Sequence, residues 1–243
     1  MMKLNLQQFA APGSLSALRE EAFDNLQLNV GIFVKNFKED ADDCADAAAL
    51  LTAIKAEIAS GEKLLGVTNG GGTFTVGREM RDPQIDGLRY KFRGGSFVDS
   101  ADPQLTTTLV ETTPENFAIG FGGYATTEGK KTTVKMKTAL TDESYLDDLC
   151  WVGDLADGRL VMIVLYNALN TSNFTFTFKD KGEGNFGVEF HACQGSVADY
   201  DDAPFEVVFF GKATQTGTGS QTGTGTQTGG STQTGDGTQT GNP

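Results

Sequence analysis

Between Cys150 and Ala192 the chain reads CWVGDLADGRLVMIVLYNALNTSNFTFTFKDKGEGNFGVEFHA, three apolar-rich runs separated by turn chemistry, and that spacing restricts it to a strand-rich fold. Asp157-Gly158 precedes Leu160 to Tyr166, a short run rich in Val and Ile, which predicts a strand buried on both faces. In SNFTFTFK, Phe174, Phe176 and Phe178 share one face while Thr175, Thr177 and Lys179 share the other, a period of two that predicts a half-buried strand. After Gly182 and Gly184, Phe186, Val188 and Phe190 alternate with Gly187, Glu189 and His191 in the same way. Together the three runs predict an antiparallel meander.

Composition divides the 243 residues around that meander. Residues 211–243 are repeats such as TQTGTGSQTGTGTQTG with no apolar residue after Ala213, so nothing offsets the entropy of ordering them and a disordered tail is expected. Residues 1–210 suffice for one mainly β domain with one or two flanking α-helices. Nineteen basic against 32 acidic residues give a net charge of −13, the wrong sign for a surface that grips nucleic acid by releasing phosphate counterions. Cys44, Cys150 and Cys193 are odd in number and lack CxxC spacing, which points to neither a disulfide framework nor a zinc site. MMKLNLQQF has no apolar core of signal-peptide length, and no later run reaches membrane-spanning length, so synthesis in the cytoplasm without classical export is expected.

In chain order, Ser14 is the expected N-cap of a helix whose stripe is Leu15, Leu18, Ala22 and Leu26. VGIFVKNF predicts a strand with Val30, Ile32 and Val34 on one face and Phe33 and Phe37 on the other. Glu39 to Ser60 predicts a single helix, with Glu39, Asp40, Asp42, Asp43 and Asp46 at its positive end, Leu51, Ile54 and Ile58 as its stripe, and Gly61 as its stop. DADDCAD lacks the central glycine and closing glutamate of an EF-hand loop, so capping is preferred to calcium binding. Asn69 to Gly72 reads as a turn and not a phosphate loop, since no Gly-Lys-Ser/Thr follows.

A strand from Thr73 to Gln84, a turn or strand end at Ile85-Asp86-Gly87 and a break at Gly94-Gly95 frame LRYKFR, in which Arg89, Lys91 and Arg93 alternate with Leu88, Tyr90 and Phe92. Cations interleaved with aromatics can mean nucleic-acid contact, but in so acidic a chain they more often meet a neighbouring subunit's carboxylates or water, and the protein partner ranks first, making Arg89, Lys91 and Arg93 a candidate interface. Phe97 to Thr112 predicts a long strand in which Pro103 marks an edge or bulge. Thr113 caps a short helix from Pro114, Lys131 to Ala139 is a one-face-wet strand, and FEVVFF from Phe205 is the last strand, after a carboxylate-rich loop from Asp199 to Pro204.

No catalytic constellation is legible, so no catalytic, cofactor-binding or metal-binding residue is expected. His191, the single histidine, lies mid-strand without a nucleophile beside it. Gly182 to Gly187 matches GxGxxG, but a strand follows it and not a helix, so it reads as a hairpin turn. Asp147-Asp148 and Asp201-Asp202 read as solvated loop charge, and Asn170 and Asn173 stand in glycosylation sequons that carry no weight without a secretory signal.

The opening MKLNLQQFA resembles structural proteins of tailed phages of Gram-positive bacteria. The ordered series NLQLNVGIFVKNF, LLGVTNGGGTFTV, WVGD, NALNT, DKGEGNFGVEFHA and DDAPFEV is similar to the major tail protein, or tail tube protein, of siphophages and prophages. That resemblance spans residues 1–210 and implies an antiparallel β-sandwich or barrel with flanking helices. It also implies a non-enzymatic virion protein that forms stacked, hexameric rings around passing double-stranded DNA, without specific DNA binding or membrane contact. Tape measure, tail terminator and baseplate proteins would be its partners, and a long hairpin near residues 86–95 would reach the neighbouring subunit. A surface adhesin with a repeat stalk and a phage head decoration protein are the alternatives.

Overall fold

The computed structural model describes residues 22–87, 89–196 and 202–212. Their strands are β1 (Ile32–Lys35), β2 (Thr68–Arg81), β3 (Phe97–Leu109), β4 (Gly123–Glu128), β5 (Lys131–Met136), β6 (Leu146–Asp154), β7 (Leu160–Asn170), β8 (Phe176–Thr177), β9 (Asn185–His191) and β10 (Phe205–Phe210). Their α-helices are α1 (Lys38–Asp42), α2 (Ala47–Ser60) and α3 (Pro114–Gly120). Every strand pairing is antiparallel. The fold is therefore mixed and dominated by antiparallel strands, with a few short helices.

β7 joins two sheets. From Leu160 to Leu165 it lies between β6 and β10, and at Leu169 and Asn170 it pairs with β9 instead of β10. Asn167, between those two pairings, has φ 46°, a left-handed conformation that Asn tolerates better than most side chains. Its Nδ2 donates to Cys193 O at 3.2 Å, which anchors the bend. The main sheet then runs β1-β6-β7-β9-β3-β2, with β10 on β7 and β8 on β9, and no pairing among the described residues closes it into a barrel.

Alternation along these strands feeds two cores. Val34, Cys150, Val152, Met162 and Val164 pack with Phe37, Leu50 and Ile54 beneath the helices. Phe33, Leu149 and Leu165 point the other way and meet Leu105, Leu109, Phe186, Val188 and Phe190 from β3 and β9. β1, β6 and β7 are thus covered on both faces, which is why Leu160–Leu165 reads as a continuous apolar run.

Several expectations are corrected. The 39–60 helix is two helices, because Asp46 takes an extended N-cap conformation and its carboxylate accepts from Ala48 N–H (3.0 Å) and Ala49 N–H (2.9 Å). The second helix buries Ala47, Leu50 and Ile54, while Leu51 and Ile58 face solvent; Gly61, φ 73°, ends it as expected. Phe37 does not continue β1: Asn36, φ 49°, turns the chain and sends Phe37 into the helix-side core with Val34, and Val30 is exposed.

Asn69–Gly72 is not a turn but part of β2, at a bulge between Thr68 and Gly72. A Cβ on Gly72 would stand 2.6 Å from Phe33 Cζ and 2.8 Å from Thr106 O, so glycine there permits strand and core to meet. The meander is reduced to a β8–β9 hairpin, since β7 pairs with β9 only at its end and β8 keeps two residues. Phe174 and Phe176 still pack on Phe117 and Phe186, with ring centroids 5.2–6.2 Å apart, but Phe178 is 85 % exposed. β4 was not foreseen. The Ser14 helix falls mostly, and the 213–243 tail wholly, outside the described residues, as does part of the Asp199–Pro204 loop.

Candidate subunit interface

β3 carries β9 on its second edge only from Gln104 to Leu109. Before that, Phe97–Pro103 pairs with β2 alone, so Val76–Arg81, Phe97–Pro103 and the loop between them form an arm. Six residues at about 3.3 Å each carry it roughly 20 Å from the body. Pro103 sits at its root, buried, opposite Val76 on β2 and with its carbonyl accepting from Ala192 N–H at 3.0 Å, so it is engaged on both sides and takes neither the edge nor the bulge position expected of it.

Arg89 to Arg93 form no strand. Residues 89–93 are irregular and exposed, and the alternation of cations and aromatics does not correspond to two sheet faces. Lys91 pairs with Asp82 inside the arm, and Ser96 Oγ donates to the same carboxylate at 2.5 Å. Lys91, then Ser96, hold the Asp82 carboxyl below its ordinary range. Arg89 and Arg93 have no ion pair among the described residues. The structure thus separates the three predicted interface residues into one engaged internally and two open to solvent.

Sequence reasoning missed the arm's apolar residues. A bulge between Glu79 and Met80 sets Met80 against Val98 and Arg81 against Phe97. Arg81 Nε bonds Asp99 at 3.0 Å and its guanidinium lies 5.9 Å from the Phe97 ring centre. Met80, Ile85, Tyr90, Phe92, Phe97 and Val98 are all exposed, Tyr90 at 84 %, and belong to neither core. Apolar side chains gathered on one projection are the usual mark of a contact surface. The sequence signal was available: Met80, Phe97 and Val98 flank the turn on both strands.

In the body, two polar groupings are internally engaged. His191 Nδ1 lies 2.6 Å from Asp102 Oδ1 and its Nε2 3.1 Å from Glu189 Oε1. A cleft of about 490 Å³ beside Gly61, Gly66 and Thr132 contains Glu111 and Asn116, but Glu111 Oε2 accepts from Val67 N–H and Asn116 Nδ2 donates to Glu111 O. Among the described residues no cluster of His, Cys, Asp and Glu has metal-binding geometry, the three cysteines are free, and no helix is long and apolar enough to cross a membrane. Comparison with known proteins yields neither a matching family model nor a matching curated protein.

Proposed function

We propose that this chain is the subunit of a siphophage-type tail tube, a non-enzymatic virion protein whose copies join in rings that stack around passing DNA. The observation that carries the reading is the arm, whose exposed apolar residues belong to neither core formed by the described residues. Further support comes from the body: the stretches resembling tail tube proteins fall on β1, β6, β7, β9 and β10, which supply buried residues to the two cores, and on β2, whose Phe74 packs against one of them. A net charge of −13 suits a conduit through which DNA slides without adhering. The finer architecture belonging to the reading is a tail-tube-like sandwich whose open edges are covered by neighbouring copies.

The test is the triple substitution Met80→Ser, Phe97→Ser and Val98→Ser. Circular dichroism should stay that of wild type, because the three side chains lie outside both cores, while sedimentation should show assembly weakened about tenfold or more. Assembly equal to wild type would remove the arm from the interface.

A further inference from the structure

Charge is distributed unevenly over this chain, and the unevenness falls on one structural unit. Residues 123–137, the β4–β5 hairpin, contain four lysines and one glutamate, or +3, within a chain of −13; the remainder therefore carries −16. β4 and β5 pair only with each other. Their register, Tyr124 opposite Lys135, Thr126 opposite Thr133 and Glu128 opposite Lys131, places these six side chains on one face. The opposite face, with Ala125, Thr127 and Thr132, lines the cleft toward α3 and the Gly61–Gly66 segment, so the lysine face is the one turned away from the body.

That face is unpartnered. Lys137 pairs with Glu143 at 3.2 Å, but Lys130, Lys131 and Lys135 make no ion pair among the described residues. Tyr124 stands among them, 44 % exposed. Lys131 and Lys135 share the face with Tyr124, two threonines and one carboxylate, Glu128, and Lys130 adjoins it from the turn; the net positive charge suits an acidic protein surface, since Tyr supplies contact area at low entropic cost while the lysines set register.

The densest acidic stretch of the chain lies at the α1–α2 junction, where Glu39, Asp40, Asp42, Asp43 and Asp46 occur within eight residues. Lys63 and Lys38 engage Asp40 and Asp42, and Asp46 caps α2, which leaves Glu39 and Asp43 exposed without an ion pair among the described residues. The Cys44 thiol at the junction is raised above its ordinary pKa by burial and then by Asp43, Asp40 and Asp46, in keeping with negative potential there.

We propose that the lysine face of the β4–β5 hairpin, through Lys130, Lys131, Lys135 and Tyr124, docks on the acidic α1–α2 junction of a second copy of this chain. The inference rests on the reading that copies assemble, and names two surfaces that join them. Contacts of this kind contribute through complementary charge, so they strengthen at low salt and weaken as ionic strength rises.

The test is a charge swap read by sedimentation velocity at low salt. Copies carrying K130E/K131E/K135E, and separately copies carrying E39K/D43K, should each need about tenfold more protein to assemble than wild type. An equal mixture of the two should recover wild-type assembly, because each reversed surface then meets its complement. Milder K130Q/K131Q/K135Q copies, with wild-type circular dichroism, should show the same loss in smaller degree, which separates docking from misfolding. Variants that assemble like wild type, or a mixture no better than either alone, overturn the inference while leaving the tube reading standing. Wild-type protein that stays monomeric at every concentration, including after addition of a tail-tip initiator complex, overturns both. Binding to a short DNA duplex that the lysine reversals abolish, with assembly unchanged, reassigns the face to nucleic acid and likewise overturns it.

Discussion

His191 Nδ1 and Asp102 Oδ1 stand 2.6 Å apart across β9 and β3, where the arm leaves the body. Glu189 flanks the other ring nitrogen at 3.1 Å, so the imidazole lies between two carboxylates. Burial lowers the His191 pKa, but hydrogen bonds and charge from Asp102 and Glu189 outweigh it and leave the value above 6.5.

A raised folded-state pKa stabilises the fold fully below the unfolded value of about 6.5 and is lost as pH rises through the folded value. Urea unfolding should therefore show wild type more stable than His191→Gln by about 0.5 kcal/mol below about pH 6, with the gap closing as pH rises through the folded pKa. The chain has one histidine, so its imidazole proton resonances give the folded pKa directly. A midpoint at or below about 6.5 would contradict the geometry.

Asp148 is 7 % exposed and its carboxylate accepts from Phe37 N–H at 2.8 Å and Lys38 N–H at 3.2 Å, fixing the turn into α1. Asp148→Ala leaves buried donors unpaired and should lower unfolding free energy by about 2–3 kcal/mol, whereas Asp148→Asn, keeping an acceptor, should cost roughly half as much. Chemical denaturation of both variants checks the order.

Gly72→Ala should destabilise by about 1–3 kcal/mol, because the new methyl meets Phe33 and the Thr106 carbonyl. Gly187→Ala has open space at its Cβ and should lie within about 0.5 kcal/mol of wild type. Thermal unfolding of the pair separates steric contact from a general intolerance of substitution in strands.

The elements most legible in the sequence were those fixed by local chemistry. β7, β9 and β10 announced themselves by apolar runs or period two, and Thr113 with Pro114 marked α3, whose cap accepts from Asn116 N–H. The sequence was ambiguous where one residue type serves two local roles: Asp46 favours a helix start either as a first-turn charge or as a cap, and only the second breaks the helix. It misled at Asn69–Gly72, where Gly70 and Gly71 serve a left-handed bulge inside β2 and Gly72 makes room for Phe33, a contact nearly 40 positions away. At the candidate site Arg89, Lys91 and Arg93 drew notice for their charge, while Met80, Phe97 and Val98 passed as ordinary strand residues because exposure depends on where β9 stops.

Because Lys91 is paired with Asp82, the three arm cations should not contribute equally. Arg89→Ser with Arg93→Ser should weaken assembly and flatten its salt dependence without altering the monomer, while Lys91→Ser should chiefly loosen the arm tip. Sedimentation across a salt series distinguishes them, and equal losses from Lys91→Ser alone would contradict the division.

Negative-stain electron microscopy of the purified full-length protein across a concentration series tests the central claim most directly. Rings of constant diameter, stacking into tubes as concentration rises, are predicted; particles of monomer size at every concentration, including after addition of a tail-tip initiator complex, would contradict it.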